Sequence, residues 1–155
     1  MEIRKAKETD IKGILRLLSQ VLEIHAQIRP DIFISGTTKY TENQLREILK
    51  DKNRPVFVAL ENETVTGYAF CVIEKPAFAT TMKPKTILYI DDFCVDENSR
   101  GKGIGKKLFD FVNETAKSYG CGSITLAVWE GNNAARAFYE KMGMTPKETI
   151  MELKI

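Results

Sequence analysis

A glycine-rich segment between a strand pattern and a helix pattern constrains this chain more than any other feature. The residues from Ile87 to Val95 are typical of a strand, and a helical pattern continues to about Tyr119. Between them lies the segment Ser99-Arg100-Gly101-Lys102-Gly103-Ile104-Gly105-Lys106-Lys107. Glycines let backbone N–H groups converge, and a helix start adds unpaired N–H donors with a partial positive charge. The segment therefore predicts a strand–loop–helix unit that binds a pyrophosphate.

Two common phosphate-binding motifs do not match this segment. A Walker A loop requires a glycine five positions before its Gly-Lys pair and a serine or threonine after it. Here Arg100 precedes Gly105 by five positions, and Lys107 follows the pair. A dinucleotide fingerprint requires a third glycine where Lys106 stands. A surface turn with a glycine-rich helix start is the alternative that these residues leave open.

The length and the charge indicate one domain and exclude several kinds of partner. A chain of 155 residues, with 43% hydrophobic and 28% charged residues, suits a single domain over residues 1–155. The net charge of +2 is too small to indicate a nucleic-acid partner. The N-terminus lacks an apolar signal region, and no stretch approaches the length of a membrane span. We expect a cytoplasmic protein without a membrane partner.

The cysteines and the histidine argue against a metal site. Cys71, Cys94 and Cys121 are odd in number, widely spaced and without a C-x-x-C pair. This usage favours reduced thiols and predicts neither a disulfide framework nor a zinc site. His25 is the single histidine, and its position is that of an ordinary helix residue. We expect no metal cofactor.

The hydrophobic periodicity predicts an α/β fold with the element order β-α-α-β-β-β-α-β-α-β. Strands are expected at Glu2 to Lys7, Val56 to Leu60, Val65 to Ile73, Ile87 to Val95, Ser123 to Val128 and Thr149 to Ile155. Helices are expected after a cap at Thr9 or Asp10, after Thr41, after the glycine segment and after Asn132 or Asn133. A hairpin joins the second and third strands at Glu61 to Thr64. This order implies a mixed sheet with some parallel pairing.

Two motifs give the chain its resemblance to the GNAT superfamily of N-acyltransferases. The first is Tyr89-Ile90-Asp91-Asp92-Phe93-Cys94-Val95 with the glycine segment, in which Arg100-x-x-Gly103-x-Gly105 fits the family pattern Arg/Gln-x-x-Gly-x-Gly/Ala. The second, Asn132 to Met144, resembles Asn-x-x-Ala-x-x-Phe/Leu-Tyr-x-x-x-Gly-Phe, with Met144 in place of the final Phe. The resemblance covers essentially the whole chain. Locally it is closest to spermidine/spermine N-acetyltransferases.

The resemblance implies a GNAT-type fold, a mixed and partly parallel twisted sheet flanked by helices, with acetyl-CoA as co-substrate. The pantetheine arm would lie in a V-shaped opening between the strand that ends at Val95 and the strand that ends near Val128. The implied cofactor-binding residues are Phe93, Cys94 and Val95 on the strand, Arg100, Gly101, Lys102, Gly103, Ile104, Gly105 and Lys106 in the loop, and Asn132 and Tyr139 in the second motif. The lysines could equally be solvated surface residues.

Asp91 and Asp92 are the candidates for the base of the reaction. An alkylammonium has a pKa near 10.4, so freeing its lone pair at neutral pH costs roughly 4 kcal/mol. A nearby carboxylate can accept that proton and select a cationic substrate. Side chains alternate along a strand, so Asp91 and Asp92 are expected on opposite faces. The resemblance favours Asp91 as base and Asp92 as an amine-orienting or structural residue. The alternative is that both acids bind backbone groups around a bulge.

Tyr139 is the residue that the resemblance implies as general acid toward the departing thiolate. Burial in an apolar cleft disfavours the thiolate, which makes proton transfer from a phenol easier. The alternative is a core aromatic residue on the inner face of its helix. No basic partner for Cys94 or Cys121 is visible, so we expect direct attack of the amine rather than an acyl-cysteine.

The sequence leaves the acceptor open. A small amine or polyamine is expected, and the other candidate acceptors are an amino acid, an antibiotic, or a protein lysine or N-terminus. The alternatives of a different class are a non-catalytic acyl-CoA-binding or sensor domain and a purely structural mixed α/β module. The segments from His25 to Glu42 and from Glu74 to Lys85 are expected to form the walls of the acceptor pocket. The sequence also leaves a homodimer open.

Overall fold

Five strands lie side by side in chain order in the computed structural model, which describes residues 1–155. They are β1 (Glu2–Lys5), β2 (Val56–Glu61), β3 (Thr64–Glu74), β4 (Ile87–Val95) and β5 (Ser123–Leu126). The first three pairings are antiparallel, and β4 pairs with β5 in parallel. The predicted mixed, partly parallel sheet is confirmed.

Four helices cover the two faces of the sheet. They are α1 (Ile11–Ile28), α2 (Glu42–Lys50), α3 (Ile104–Ser118) and α4 (Asn133–Lys141). One buried core joins α1 and α2 to the sheet, with Leu17, Leu45 and Tyr68 among its members. A second core lies between the sheet and α3, and α4 packs against its edge through Phe138 and Tyr139. Burial of these apolar faces is the main favourable contribution to folding.

Local sequence signals explain where the elements begin and turn. The Thr41 hydroxyl accepts a hydrogen bond from the Gln44 N–H, and the Gln44 side chain accepts one from the Thr41 N–H, which is the predicted cap of α2. Asn62 and Glu63 both have positive φ angles, as a tight hairpin between β2 and β3 requires. Asp10 precedes α1, but its carboxylate binds Arg4 and the Lys7 N–H instead of capping the helix.

The predicted final strand, Thr149 to Ile155, is not formed. Residues 145–155 have no regular secondary structure, and Ile150, Met151 and Leu153 are 88%, 85% and 86% exposed. The alternating pattern is present, but a strand also needs a neighbour to pair with, and this segment forms ion pairs from Glu152 to Arg29 and from Lys154 to Asp31. The outer edge of β5, which ends at Leu126 instead of Val128, stays unpaired.

None of the helices combines the length and the hydropathy that a membrane span requires.

Candidate active site

An opening forms where β4 and β5 separate. The two strands pair from Ile87 opposite Ser123 to Ile90 opposite Leu126, and the pairing ends there. Residues 91–95 of β4 continue without a neighbouring strand on this side. Openings at the carboxyl ends of parallel strands are common ligand sites, because backbone groups there are free to bind. The strand residues predicted to bind the pantetheine arm, Phe93, Cys94 and Val95, border this opening.

The glycine loop between β4 and α3 presents its backbone N–H groups without protein partners. Gly101 and Gly103 have φ angles of 79° and 77°, in the left-handed region that glycine adopts readily. No backbone carbonyl accepts a hydrogen bond from the N–H groups of residues 101–106, and no side chain caps α3. A Cβ atom at either glycine would project into open space. This arrangement fits a bound pyrophosphate, which needs converging donors and room for its oxygens.

The cations beside the loop differ in how free they are. Arg100 is exposed, and its Nε donates a hydrogen bond to the Val95 carbonyl at 3.3 Å. The Lys106 ammonium is 2.6 Å from Asp110 on the next turn of α3, whereas Lys102 is exposed at the tip of the loop. Arg100 is therefore held across the base of the loop, and Lys106 is partly neutralised by its neighbour.

Gly105 allows close packing and does not adopt a left-handed backbone conformation. A Cβ atom there would lie 3.3 Å from the Phe138 ring and 3.5 Å from Val95. The absence of a side chain allows α3 to approach both β4 and α4. Ile104, the first residue of α3, is buried beside it. Together these contacts fix the start of the helix next to the opening.

A β-bulge in β4 determines where the two candidate carboxylates point. Along the pairing of β3 with β4, Phe70 is opposite Asp92 and Cys71 is opposite Ile90, so Asp91 is an additional residue without a partner. A bulge of this kind inserts one residue into one strand and shifts the alternation of its side chains by one position.

The two cores confirm this shift. Ile90 belongs to the core on the α3 side, whereas Cys94, four residues later, belongs to the core on the α1 side. The prediction that Asp91 and Asp92 leave opposite faces is therefore wrong, because it assumed an unbroken strand. Both carboxylates instead approach one ammonium, that of Lys39, at 3.0 Å and 3.7 Å.

Each carboxylate also accepts a hydrogen bond from a tyrosine. The Tyr40 hydroxyl donates to Asp91 at 3.0 Å, and the Tyr68 hydroxyl donates to Asp92 at 3.1 Å. The Asp92 side chain is only 9% exposed, compared with 26% for Asp91. Burial raises the pKa of Asp92 above its ordinary value, although the Lys39 ammonium and the Tyr68 hydroxyl partly oppose the shift. The buried carboxylate of Asp92 therefore binds a proton more readily than an ordinary exposed aspartate does.

Tyr139 lies on α4 among aromatic rings at the same opening. Its ring centroid is 5.3 Å from that of Phe138 and 6.2 Å from that of Phe93. Burial raises the pKa of Tyr139 well above its ordinary value, and the negative charge of Asp92 adds to the shift. The phenol therefore stays protonated at neutral pH. Asn132 caps α4, because its side-chain oxygen accepts a hydrogen bond from the Ala135 N–H at 3.3 Å.

The cysteine next to the carboxylates, Cys94, is a buried thiol. Burial raises the pKa of the Cys94 thiol to about 12, and its Sγ is 3.8 Å from the Leu17 carbonyl oxygen. A thiol that stays protonated attacks a thioester poorly. Direct attack by the amine, without an acyl-cysteine, stays a prediction.

Sequence reasoning missed three residues of the site, namely Lys39, Tyr40 and Tyr68. Lys39 and Tyr40 lie in the predicted pocket wall from His25 to Glu42, but nothing in their spacing marks them as partners of β4. Tyr68 fits the apolar strand pattern of β3, and this pattern gives no sign that its hydroxyl donates a hydrogen bond to Asp92. The other predicted wall, from Glu74 to Lys85, contributes no ion pair to either carboxylate.

Comparisons with known proteins point to one family of enzymes. A model of the acetyltransferase (GNAT) family matches residues 18–144. The chain is 31% identical over 150 residues to a thialysine N-epsilon-acetyltransferase from Bos taurus, covering 91% of this chain and 82% of that protein. It is 30% identical over 154 residues to a glucosamine 6-phosphate N-acetyltransferase from Arabidopsis thaliana, covering 97% and 93%.

Solved structures share the whole fold. A tetramutant of the BH1408 protein from Bacillus halodurans superposes with a TM-score of 0.95 at 31% identity, covering 100% of both chains. An aminoglycoside N-acetyltransferase in complex with CoA superposes with a TM-score of 0.75, covering 99% of this chain and 98% of that one. Its identity of 16% supports the fold alone.

Proposed function

This chain belongs to the GNAT family of acetyltransferases, and from this premise we propose that it transfers an acetyl group from acetyl-CoA to the primary amine of a small molecule. The observation that carries the proposal is the convergence of Asp91 and Asp92 on one ammonium beside the opening between β4 and β5. A site that holds an alkylammonium, on the strand that leads into the glycine loop, is what amine acetylation requires.

The cofactor side of the site is formed by backbone. Acetyl-CoA, when bound, supplies the acetyl group as an activated thioester. The free N–H groups of residues 101–106 would bind its pyrophosphate, with Arg100 and Lys102 adding positive charge. The exposed backbone of Phe93, Cys94 and Val95 would pair with the pantetheine amides. Asn132 keeps α4 in place, and with it Tyr139.

The acceptor side is formed by carboxylates. Asp91 and Asp92 would attract the protonated amine. We assign proton acceptance to Asp91 because its carboxylate lies nearer than that of Asp92 to the Lys39 ammonium, which occupies this position. Asp92 would hold the cation from its buried side. Its raised pKa makes it the second candidate for proton acceptance.

Tyr139 would complete the reaction by giving its proton to the sulfur that leaves. Its high pKa keeps the phenol protonated, and the apolar rings of Phe93 and Phe138 beside it make a free thiolate costly. A hydrogen bond to the developing negative charge would help even before the proton moves.

The acceptor class follows from the charge of the site. The relatives named above act, by their names, on thialysine and on glucosamine 6-phosphate, both small primary amines. We propose an acceptor of this class, and a reducing, cytoplasmic location in keeping with the three free cysteines.

The test is release of free thiol from acetyl-CoA with a panel of amines. The panel contains thialysine, glucosamine 6-phosphate, 1,4-diaminobutane, an aminoglycoside and a lysine peptide. We expect at least one small amine to release thiol faster than buffer alone, and the Asp91→Asn, Asp92→Asn double variant to lose this rate. A folded protein that releases no thiol with any amine would contradict the proposal.

A further inference from the structure

Lys39 is the only cation that contacts both carboxylates, and it comes from outside the sheet. It lies in the connection between α1 and α2, 52 residues before Asp91 in the chain. Its ammonium is 3.0 Å from Asp91, 3.7 Å from Asp92 and 5.5 Å from the centre of the Tyr40 ring. The carboxylates and the ring thus surround a primary ammonium on a flexible alkyl chain.

The chemistry of this ammonium is that of the proposed acceptor. A lysine side chain ends in a primary alkylammonium, the same group that a small amine substrate presents at neutral pH. One carboxylate at hydrogen-bond distance, a second at ion-pair distance and an aromatic ring recognise such a group by charge and by cation–π attraction. Nothing in these contacts distinguishes the ammonium of Lys39 from that of a free amine.

Lys39 can also leave this position at low cost. Its side chain is 40% exposed, so the ammonium can turn into water without uncovering the core. Ion pairs that remain partly exposed contribute little to stability. With Lys39 in place, its positive charge offsets part of the negative charge of the carboxylates, and after its departure more of that negative charge faces an incoming cation.

We propose that Lys39 competes with the acceptor, its ammonium occupying the site for a primary alkylammonium until an amine displaces it. This inference rests on the proposed function for the identity of the site, and it goes further by making Lys39 a residue that determines which amines bind. A diamine would displace Lys39 more readily than a monoamine, because its second charge also interacts with the net negative cluster.

The alternative role for Lys39 is to anchor the connection between α1 and α2. Substitution separates the two roles. Lys39→Met removes the charge and keeps the length and flexibility of the side chain, whereas Lys39→Arg keeps the charge and therefore the competition. Lys39→Gln is a second neutral variant, in case the methionine packs against Tyr40. Lys50→Met, which removes an exposed cation from the end of α2, is the matched control.

The experiment is a titration of 1,4-diaminobutane into isotopically labelled protein without acetyl-CoA, followed by NMR chemical shifts. For Lys39→Met and Lys39→Gln we expect the dissociation constant to fall about three- to fivefold, the scale of removing one weak competing ion pair. Lys39→Arg and Lys50→Met should stay within twofold of the parent protein. An unchanged or higher dissociation constant in both neutral variants would overturn the proposal.

The titration separates this inference from the proposed function. If the parent protein acetylates amines and the neutral variants bind diamine no more tightly, Lys39 is an anchor and only the inference fails. If the neutral variants bind diamine more tightly and no amine releases thiol, the cation site stands and the proposed acetyl transfer fails.

Discussion

The glycine loop and the carboxylate pair both depend on β4, yet they recognise charge in opposite ways. The loop offers N–H groups of consecutive residues, held by the positive φ angles of Gly101 and Gly103. The pair gathers side chains from β4, from β3 and from the connection before α2. A site made of backbone is sensitive to conformation and to added bulk. A site made of side chains is sensitive to single atoms and to pH.

The largest effect is expected from a substitution in the loop. Gly103→Asp forces a side chain into a left-handed conformation with φ of 77° and places a negative charge where pyrophosphate is expected. Left-handed conformations cost about 1–2 kcal/mol for ordinary residues. We expect acetyl-CoA binding to weaken by roughly a hundredfold or more, a loss of about 3 kcal/mol. The measurement is isothermal titration calorimetry with acetyl-CoA.

Gly120→Asp is the matched control for this change. Gly120 follows α3 with a φ angle of 72° and open space around its Cβ position, so the backbone cost is comparable and the loop is untouched. Its acetyl-CoA affinity should equal that of the parent protein. If both variants bind acetyl-CoA equally well, the loop does not recognise the pyrophosphate. The loop and the carboxylate pair then no longer differ in the way proposed above.

The next largest effect is expected at the carboxylate pair. Asp91→Asn keeps the size of the side chain and removes its charge, so acetyl-CoA binding should survive while acetylation of amines falls about a hundredfold. Part of the loss should be recovered at high pH, where more amine is already free of its proton. The measurement is the pH profile of thiol release at saturating acetyl-CoA.

Glu47→Gln, at an exposed carboxylate on α2, is the control for Asp91→Asn and should leave the profile unchanged. Asp92→Asn sharpens the assignment within the pair. A larger pH-dependent loss in Asp92→Asn than in Asp91→Asn would exchange the two roles and make the buried carboxylate the proton acceptor.

A comparable or smaller effect on turnover is expected at Tyr139, which lies on α4 beside Phe93 of β4. Tyr139→Phe keeps the ring contacts with Phe93 and Phe138 and deletes the hydroxyl. We expect a loss of roughly ten- to several-hundred-fold in turnover, the scale of general acid catalysis, with little loss of stability. Tyr119→Phe, at an exposed tyrosine after α3, serves as the control. An unchanged rate at saturating substrate would leave Tyr139 as a packing residue.

The two regions also differ in how far the sequence alone predicts them. The loop is local, because its glycines, its cations and the helix start follow one another, so residues 100–106 could be named from their order. The helix cap at Thr41 is predictable for the same reason. The predicted order of strands and helices agrees with the structure up to α4, because each element has its own hydrophobic periodicity.

The carboxylate pair depends on contacts that local patterns do not encode. The bulge at Asp91 results from pairing with β3, and Lys39 reaches the site only because α1 and α2 pack on that face. The absent final strand has the same cause, because alternation in Thr149 to Ile155 predicts a strand, and formation of the strand requires a neighbour. Local order predicts conformation, whereas long-range pairing decides which side chains meet.

The smallest effect is expected on stability, at the hydrogen bond that joins β3 to the carboxylate pair. Tyr68→Phe removes the hydroxyl that donates to Asp92 at 3.1 Å and leaves the buried ring in place. Hydrogen bonds to charged groups contribute about 1.5–3 kcal/mol. We expect a loss of this size in the free energy of unfolding at pH 7, measured by urea denaturation. Tyr119→Phe should show no loss.

The pH dependence of this loss follows from the sign of the shift at Asp92. Burial raises the folded-state pKa of this carboxyl group, so its ionisation reduces stability, and that reduction appears as the pH rises from the unfolded-state pKa through the folded-state pKa. The Tyr68 hydroxyl stabilises the ionised form of Asp92, and without it the folded-state pKa of Asp92 rises further.

The difference in the free energy of unfolding between Tyr68→Phe and the parent protein should therefore be largest at neutral pH and should shrink as Asp92 becomes protonated in acid. The other carboxylates titrate alike in both proteins, so their contributions cancel in this difference. A difference that stays constant from pH 7 to pH 4 would show that the hydroxyl stabilises β3 without acting on the charge of Asp92.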